Sequence, residues 1–270
     1  MPRGVSLVDE ARLQGRLWTP TQVLPSLWLD AADLSTITIS TGVSEWRDKS
    51  GNGANATQAT AANRPAYSPV AFSGLPGITT DGADDRLEIV TTLSQGNLTH
   101  AVYWVMRVIG AGSGVDGYRP LIGVRPSAGQ DLGALIYRNP AGLAASYPYY
   151  AQPTSGAFDS GPAIAANNTS NIFAFQLNGI GWGAWQNGTL LGTTSPAAGA
   201  PTTVNTGFFL GCQLSPGRFT NAVYAEVLGF SFATTLTRLR IEGYLAWKWG
   251  LTGNLPATHL FKNRPPLIGD

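Results

Sequence analysis

Apolar residues recur in short runs along this chain, and residues that favour turns separate them. The run HAVYWVMRVIG (100–110) is nearly continuous and aromatic, which is typical of a strand buried in the middle of a sheet. Similar runs, such as SNIFAFQL (170–177) and AVYAEVLGF (222–230), recur at intervals of about 8–15 residues. This spacing favours an antiparallel β-sandwich over βαβ units, so we predict an all-β fold.

One tight hairpin is predicted inside this series of strands. The segment WQNGTLLG (185–192) carries the pair Asn187-Gly188 between two apolar runs. A type I′ turn needs positive φ angles at both central residues, and asparagine and glycine tolerate them best. Residues 187 and 188 should therefore join two neighbouring strands.

The pattern changes to a helical period near the C-terminus, where we predict one helix over residues 235–249. A threonine precedes the segment as an N-cap, and Gly250 follows it at the position of a C′ glycine. We expect Trp247 and Trp249 to be buried, with the helix packed on the sandwich. One broad apolar face is formed at the helical period by Leu236, Leu239, Ile241, Tyr244, Leu245 and Trp249.

The first 24 residues differ from the rest of the chain. Val8, Ala11, Leu13 and Leu17 are loosely spaced as in a helix, and Thr19-Pro20 ends the segment. Segments of this kind become ordered only when something holds them. We therefore predict an N-terminal anchoring arm at 1–24 and a β domain at 25–270.

Two longer segments, 110–119 and 144–170, lack strand patterns and are predicted to be surface loops. They contain all five candidate binding residues. A tyrosine offers a flat apolar ring with a polar tip, which suits either a sugar or a subunit contact. The candidates for glycan or subunit contact are Tyr118, Tyr147, Tyr149, Tyr150 and Phe158.

Composition narrows the possible functions. Charged residues make up only 12% of the chain and the net charge is +1, with no Lys/Arg cluster, so we expect no nucleic-acid partner. The single cysteine, Cys212, lies in an apolar run and should be a core residue. No secretion signal is recognisable, and no apolar run approaches the ~18 residues of a membrane span, so we expect no membrane insertion.

Three separated segments carry a family resemblance. The segments are 27–67, 77–90 and the closing stretch 219–250, which contains YLAWKWG. Together they resemble concanavalin A-like (laminin-G-like) jelly-roll domains of the kind found in bacteriophage virion proteins. The resemblance covers about residues 25–266 and implies two antiparallel sheets with one helix packed on them. The matching positions are Trp46, Asp48, Ser50, Gly51, Asn52 and Gly53 in the first segment, and Asp81, Gly82, Asp84, Asp85 and Leu87 in the second.

The acidic positions of these motifs have two interpretations. Short acidic and amide side chains such as Asp48 form turns with their own backbone, which makes the positions structural. Alternatively, Asp81, Asp84 and Asp85 could bind Ca²⁺, although Arg86 follows directly and could neutralise them. We predict no other cofactor. The structural assignments are Trp46, Asp48, Tyr244, Trp247 and Trp249.

Catalytic chemistry has little support in the sequence. A retaining glycosidase needs two carboxylates about 5–5.5 Å apart, and the strand AVYAEVLGF holds only Glu226. Glu226 should instead pair within the fold, with Arg240 or Lys248 as partner. The two histidines, His100 and His259, form no catalytic or metal-binding pattern. We therefore predict that the protein is not an enzyme.

The resemblance implies a bacteriophage structural protein of the tail fibre, the tail tip or the capsid decoration. In this hypothesis the arm attaches to other virion proteins, and the jelly roll contacts host-surface polysaccharide or neighbouring virion proteins. The protein would be located in the virion after assembly in the host cytoplasm, as a homo-oligomer, plausibly a trimer. The alternatives are a free carbohydrate-binding module and a glycoside hydrolase of the same fold.

Overall fold

The computed structural model describes residues 16–91, 99–110, 118–126, 136–138, 149–151, 157–159, 168–178, 181–194, 205–213, 217–231 and 233–270. Its strands are β1 (Leu27–Asp30), β2 (Ile37–Ile39), β3 (Val43–Trp46), β4 (Ala56–Thr57), β5 (Ala66–Phe72), β6 (Leu75–Asp81), β7 (Leu87–Val90), β8 (Thr99–Gly110), β9 (Tyr118–Pro120), β10 (Gly123–Pro126), β11 (Ile136–Arg138), β12 (Tyr149–Ala151), β13 (Ala157–Asp159), β14 (Ser170–Asn178), β15 (Gly181–Gln186), β16 (Thr189–Thr194), β17 (Asn205–Leu210), β18 (Cys212–Gln213), β19 (Arg218–Phe219) and β20 (Asn221–Phe230). The α-helix is α1 (Thr235–Lys248), and short 3-10 helices span Pro20–Val23, Leu34–Thr36, Ala61–Asn63 and Thr252–Asn254.

Two antiparallel sheets form the sandwich. The larger has eight strands in the order β16-β15-β14-β8-β20-β6-β5, and β1 also pairs with β20. The smaller has six strands in the order β10-β17-β7-β4-β3-β2. Three separate two-stranded pairs are β9–β11, β12–β13 and β18–β19. The predicted fold class, an all-β jelly-roll sandwich with one C-terminal helix, is confirmed.

The core lies between the two sheets. Trp104 of β8 is fully buried and stacks on Phe173 of β14, with ring centroids 5.5 Å apart. Tyr224 of β20 reaches the smaller sheet, where its hydroxyl donates to the Leu121 carbonyl (2.9 Å) and accepts from the Gly211 N–H (3.0 Å). Burial of large aromatic side chains supplies much of the hydrophobic free energy of such a core.

A β-bulge in β20 changes which residues of this strand face outwards from the larger sheet. The register against β8 shifts between Tyr224 and Glu226, and at the same place β20 exchanges β6 for β1 as its neighbour. Without the bulge, residues 224 and 226 would share a face. The extra residue, Ala225, turns Glu226 to the outer face, where α1 lies.

The helix forms as predicted, with two corrections to its orientation. Thr234 caps it by accepting from the Thr237 N–H (3.1 Å), and Gly250 follows with φ +69°. Trp249 is buried, but Leu236 and Trp247 are each 41% exposed, so their predicted burial is wrong. At 100° per residue they lie opposite the buried face, which carries Ile241 and Leu245 together with a charged pair that apolar periodicity does not reveal.

The Asn187-Gly188 hairpin is confirmed. Asn187 has φ 51° and Gly188 φ 79°, and they join β15 to β16. The Asn187 side chain also accepts from the Ile172 N–H (2.8 Å), which fixes the turn to β14. A Cβ at residue 188 would lie 2.8 Å from the ring of His259, so the C-terminal tail also requires glycine here.

The described part of the predicted arm packs against the C-terminal tail. Arg16 and Trp18 exchange backbone hydrogen bonds with Ile268 and Pro266, at 2.9 and 3.0 Å. Trp18 is 4% exposed and meets the ring of Tyr244 edge-on at 6.2 Å. Residues 1–15 lie outside the described residues, and the anchoring role of residues 1–24 stays a prediction.

A helix that crosses a membrane must be about 20 residues long and predominantly apolar. Among the residues described above, no helix is both long enough and apolar enough to cross a bilayer.

Candidate functional site

A network of charged side chains lies between the larger sheet and the helix, and we refer to it as the Glu226 network. Asp30 and Glu226 occupy directly opposite positions on β1 and β20. The Lys248 ammonium lies 2.8 Å from an oxygen of each, so one cation bridges the two carboxylates. The members of the network are Trp28, Asp30, Lys49, Glu226, Tyr244, Lys248 and Trp249.

Four donors surround the Glu226 carboxylate, which is 0% exposed. The indole N–H groups of Trp28 and Trp249 donate to it at 2.8 and 2.6 Å, and the Tyr244 hydroxyl donates at 3.0 Å. Burial raises the pKa of Glu226, while the positive charge of Lys248 opposes that rise. Burial also raises the pKa of Tyr244, so its hydroxyl stays a donor.

The pairing of Glu226 with Lys248 confirms one sequence prediction, whereas the opposing Asp30 was missed. The two carboxylates come from strands 196 positions apart in sequence, so no local motif contains both. Asp30 is engaged by Lys248 and by Lys49, whose ammonium lies 2.9 Å from it. Through these contacts the two carboxylates hold β1, β20 and α1 together.

A second buried group ties the helix to the tail. An Arg238 nitrogen lies 2.8 Å from both oxygens of Glu242, and His259 Nε2 lies 3.1 Å from the same carboxylate. His259 Nδ1 accepts from the Phe261 N–H (3.2 Å), so Nε2 carries the proton that bonds to Glu242. These contacts give His259 a structural role.

His100 lies apart from this group, near the end of β8. It is 4% exposed beside the ring of Phe175, and its Nδ1 has no partner within the described part of the chain. Burial lowers the pKa of His100 to about 4. The two histidines are therefore not brought together.

The opening motif organises a loop beside β1. Asp48 accepts from the backbone N–H groups of Trp28, Ser50 and Ala54, at 2.8, 2.9 and 3.1 Å. Trp46 is fully buried in β3. The Asp48 contacts are those of the turn-forming interpretation, in which a short carboxylate replaces backbone partners.

The acidic motif is a compact cluster at the end of β6. Oxygens of Asp81, Asp84 and Asp85 lie within 4.8 Å of one another. One Asp81 oxygen accepts from the N–H of Ala83 (2.8 Å), and Asp85 accepts from the N–H of Asp81 (3.1 Å). Burial, followed by the charge of Asp81, raises the pKa of Asp85 to about 6. Both carboxylates therefore shape the turn, and calcium binding stays a prediction.

The predicted aromatic binding residues lie on short strand pairs instead of open loops. Tyr118 is in β9, Tyr149 and Tyr150 are in β12, and Phe158 is in β13. The strands β9, β11, β12 and β13, which we name the rim ribbons, are neighbours because β9 pairs with β11, β11 lies beside β12, and β12 pairs with β13. Tyr147 lies outside the described residues. Four of the five candidates are thus gathered in one row of strands.

Hydrogen bonds connect the rim ribbons to the same end of the sandwich as the acidic cluster. The Thr220 hydroxyl donates to the Pro120 carbonyl at the end of β9 (2.6 Å). The hydroxyl of Thr80 donates to the Thr220 carbonyl (2.5 Å). Thr80 directly precedes Asp81 of the acidic cluster. Sequence alone could not predict this proximity, because three-residue strands carry too little alternation to be recognised.

Comparisons with known proteins show similarity in fold only. The chain matches no protein-family model and no curated protein sequence. It is similar to Trypanosoma rangeli sialidase in complex with sialic acid, with 14% identity and a TM-score of 0.57, over 85% of this chain and 37% of that chain. This chain therefore spans little more than a third of the sialidase.

Two further solved structures are similar at the level of a domain. Domain 4 of AbnA, a GH43 extracellular arabinanase from Geobacillus stearothermophilus, in complex with arabinotriose, has 12% identity and a TM-score of 0.53, over 78% of this chain and 94% of that chain. The binding domain of Paraclostridial Mosquitocidal Protein 1 has 9% identity and a TM-score of 0.53, over 83% of this chain and 51% of that chain.

These neighbours correct one prediction and leave another without support. The prediction that the protein is not an enzyme is contradicted, because sialidases are among the structures it resembles. Their identity of 12–15% shows a shared fold and not a shared activity. None of the solved structures named above is a virion protein, so the bacteriophage role rests on the sequence motifs. What the chain shares with these structures is the β-sandwich fold.

Proposed function

We propose that this protein is a carbohydrate-binding β-sandwich whose ligand lies against the rim ribbons. One observation carries the proposal: four aromatic residues selected from sequence lie in two neighbouring two-stranded ribbons, β9–β11 and β12–β13. Sugar rings present flat apolar C–H faces edged with hydroxyl groups, and tyrosine offers a matching flat ring with a hydrogen-bonding tip.

The register strengthens this proposal at β12–β13. Tyr150 lies directly opposite Phe158, so these positions share one face of the ribbon. Two aromatic positions on one face are the arrangement that stacking on a sugar ring requires. Domain 4 of AbnA, whose fold is similar over 78% of this chain, was solved with arabinotriose, a three-unit sugar.

Aromatic surfaces also form contacts between subunits, which is the alternative for the same residues. The bacteriophage hypothesis combines both, since a virion protein can present a glycan-binding surface while it contacts its neighbours. That more specific role, its location in the virion and its homo-oligomer draw on the motif resemblance alone. The fold neighbours favour sugar as the ligand of the rim ribbons.

The test is binding of the full chain to a glycan array, followed by titration of the glycans that bind. We expect Tyr150→Ala and Phe158→Ala to weaken binding at least about tenfold, because each removes one stacking surface. The matched control is Trp247→Ala, since this half-exposed aromatic residue lies on the helix. Release of free sugar from bound glycans is measured in the same samples.

Two results would overturn the proposal. One is the absence of binding to any glycan by a folded wild-type protein. The other is equal loss of binding in Trp247→Ala and in the rim variants, which would indicate a general loss of structure. Wild-type binding together with selective loss in the rim variants supports the proposal.

A further inference from the structure

The ribbon β9–β11 has a repeated pairing of tyrosine with arginine. Tyr118 of β9 lies directly opposite Arg138 of β11, and Arg119 of β9 lies directly opposite Tyr137 of β11. Residues directly opposite in an antiparallel pair share a face, with Cβ atoms about 5 Å apart. Each face of this ribbon therefore carries one tyrosine position and one arginine position.

Because of this pairing, both faces of the β9–β11 ribbon have the same two residue types. Successive residues of a strand alternate between faces, so Tyr118 and Arg119 belong to opposite faces. Each of the two faces therefore has a tyrosine position directly opposite an arginine position. Tyr137 and the two arginines were not selected from sequence, because the pairing depends on a register between segments 18 residues apart.

One strand beside β9 adds a further arginine, while the acidic cluster of Asp81, Asp84 and Asp85 lies at the same end of the sandwich. Arg218 belongs to β19, which lies beside β9. Within the described strands of the rim ribbons the only acidic residue is Asp159, opposite Tyr149 in β12–β13. Within the rim ribbons the arginine positions are therefore confined to β9–β11, whereas aromatic positions occur in all four strands.

Arginine is specific in what it recognises. Its planar guanidinium group binds carboxylate and other oxyanions through two parallel hydrogen bonds, and such bonds are about twice as strong as neutral ones. An aromatic ring at the adjacent position can stack on the sugar that carries the anion. Neither group alone defines a ligand, but the pair matches a sugar ring bearing a negative charge.

We propose that the ligand of the rim ribbons is an anionic polysaccharide, bound through a tyrosine–arginine pair of β9–β11. This inference rests on the proposed carbohydrate-binding function and adds the substrate class. Carboxylate on a uronic or sialic acid unit and sulfate ester on a neutral unit offer the same oxyanion chemistry. The experiment distinguishes these two sources.

Binding is measured by calorimetry with the full chain and four polymers of similar length. The polymers are polygalacturonate for carboxylate, dextran sulfate for sulfate ester, unmodified dextran as the neutral sugar, and single-stranded DNA as a polyanion without a polysaccharide backbone. We expect the anionic polysaccharides to bind at least about tenfold more tightly than dextran and DNA. The tighter of the two anionic polymers identifies the source of the charge.

Two single variants, one on each face of the β9–β11 ribbon, serve as controls for each other. Arg119→Gln and Arg138→Gln remove the same charge from opposite faces, so one should lose about tenfold in affinity and the other little. Arg→Lys at the sensitive position keeps the charge but not the planar fork, and should recover affinity only in part. Arg264→Gln, in an exposed ion pair with Asp270, is the distant charge control.

The outcomes separate the two proposals. Equal binding of dextran and the anionic polymers, with unchanged affinity in both arginine variants, would overturn the anionic ligand and leave carbohydrate binding intact. No binding of any polysaccharide would overturn both. DNA binding as tight as polygalacturonate binding, with the same arginine dependence, would show a general polyanion surface and also overturn the inference.

Discussion

The Glu226 network and the rim ribbons are built from the same kinds of side chain and differ in how they are held. In the network, buried and half-buried aromatic and charged groups from β1, β20 and α1 are bonded to one another. In the rim ribbons, aromatic and arginine residues occupy strands of three residues that pair two by two. The first arrangement holds a sheet and a helix together, and the second carries the binding surface that we propose.

The comparison shows that burial determines whether a polar group contributes mainly to stability or is free to contribute to binding. A carboxylate such as Glu226, removed from water, needs every partner it has, and loss of one leaves an unpaired buried charge. A polar group with access to water has an alternative partner, so its removal costs little stability, and this is what we expect of the proposed binding surface. Stability and binding variants should therefore separate between the two regions.

The largest effect is expected for Trp249→Ala. The ring is 2% exposed, meets Phe72 edge-on at 5.7 Å, and donates its indole N–H to Glu226 at 2.6 Å. Its removal should lower the free energy of unfolding by about 3–5 kcal/mol in a denaturant titration. Trp247→Ala, at a residue that is 41% exposed, should cost under about 2 kcal/mol. Equal losses in the two variants would contradict this assignment of the helix faces.

Lys248→Met tests the electrostatic part of the network. Methionine keeps most of the side-chain volume but leaves Asp30 and Glu226 facing each other without their shared cation. The free energy of unfolding should fall by about 3–5 kcal/mol, as for other broken buried ion pairs.

The control for Lys248→Met breaks an exposed ion pair. Arg264→Met removes the partner of Asp270 at a half-exposed site and should cost at most about 1 kcal/mol. A loss of less than 1 kcal/mol in Lys248→Met as well would show that the network is solvated and not buried.

The pH dependence of stability should report on His100. Burial lowers its pKa in the folded protein to about 4, below the value near 6.5 in the unfolded chain. Between these values the unfolded chain binds the extra proton, so His100 stabilises the fold above pH 6.5 and this contribution is lost as the pH falls towards 4.

The variant His100→Phe isolates this contribution. Between pH 7 and pH 4 the wild type should lose about 3 kcal/mol more stability than the variant, measured by denaturant titration at each pH. Other groups titrate in both proteins, so the comparison uses the difference between them. Identical pH profiles would show that His100 is accessible to water in the folded state.

The sequence predicted the elements that depend on local chemistry. The cap at Thr234, the helix after it and the Asn187-Gly188 turn each follow from neighbours within a few positions. The orientation of the helix was predicted less well because the buried face includes Arg238 and Glu242, so apolar residues alone do not define it. Leu236 and Trp247 were assigned to burial for that reason.

The candidate site needed information that no local pattern contains. Strict alternation would put Tyr224 and Glu226 on one face, and only the bulge at Ala225 separates them. The register that places Tyr118 opposite Arg138 joins strands too short to be recognised in sequence. Aromatic residues could therefore be selected as candidates from sequence, while the charges beside them could not.

The smallest effect on stability is expected for substitutions in the rim ribbons. Such substitutions test most directly whether the rim ribbons differ from the buried scaffold. Tyr150→Ala removes one member of a cross-strand pair with Phe158, which contributes roughly 0.2–1 kcal/mol. Tyr224→Ala removes a fully buried ring whose hydroxyl joins the two sheets and should cost about 3–5 kcal/mol. Denaturant titration of both variants decides the matter. A loss at Tyr150 as large as that at Tyr224 would make the rim ribbons part of the packed scaffold, because a ring removed from a ligand surface cannot cost that much folding energy.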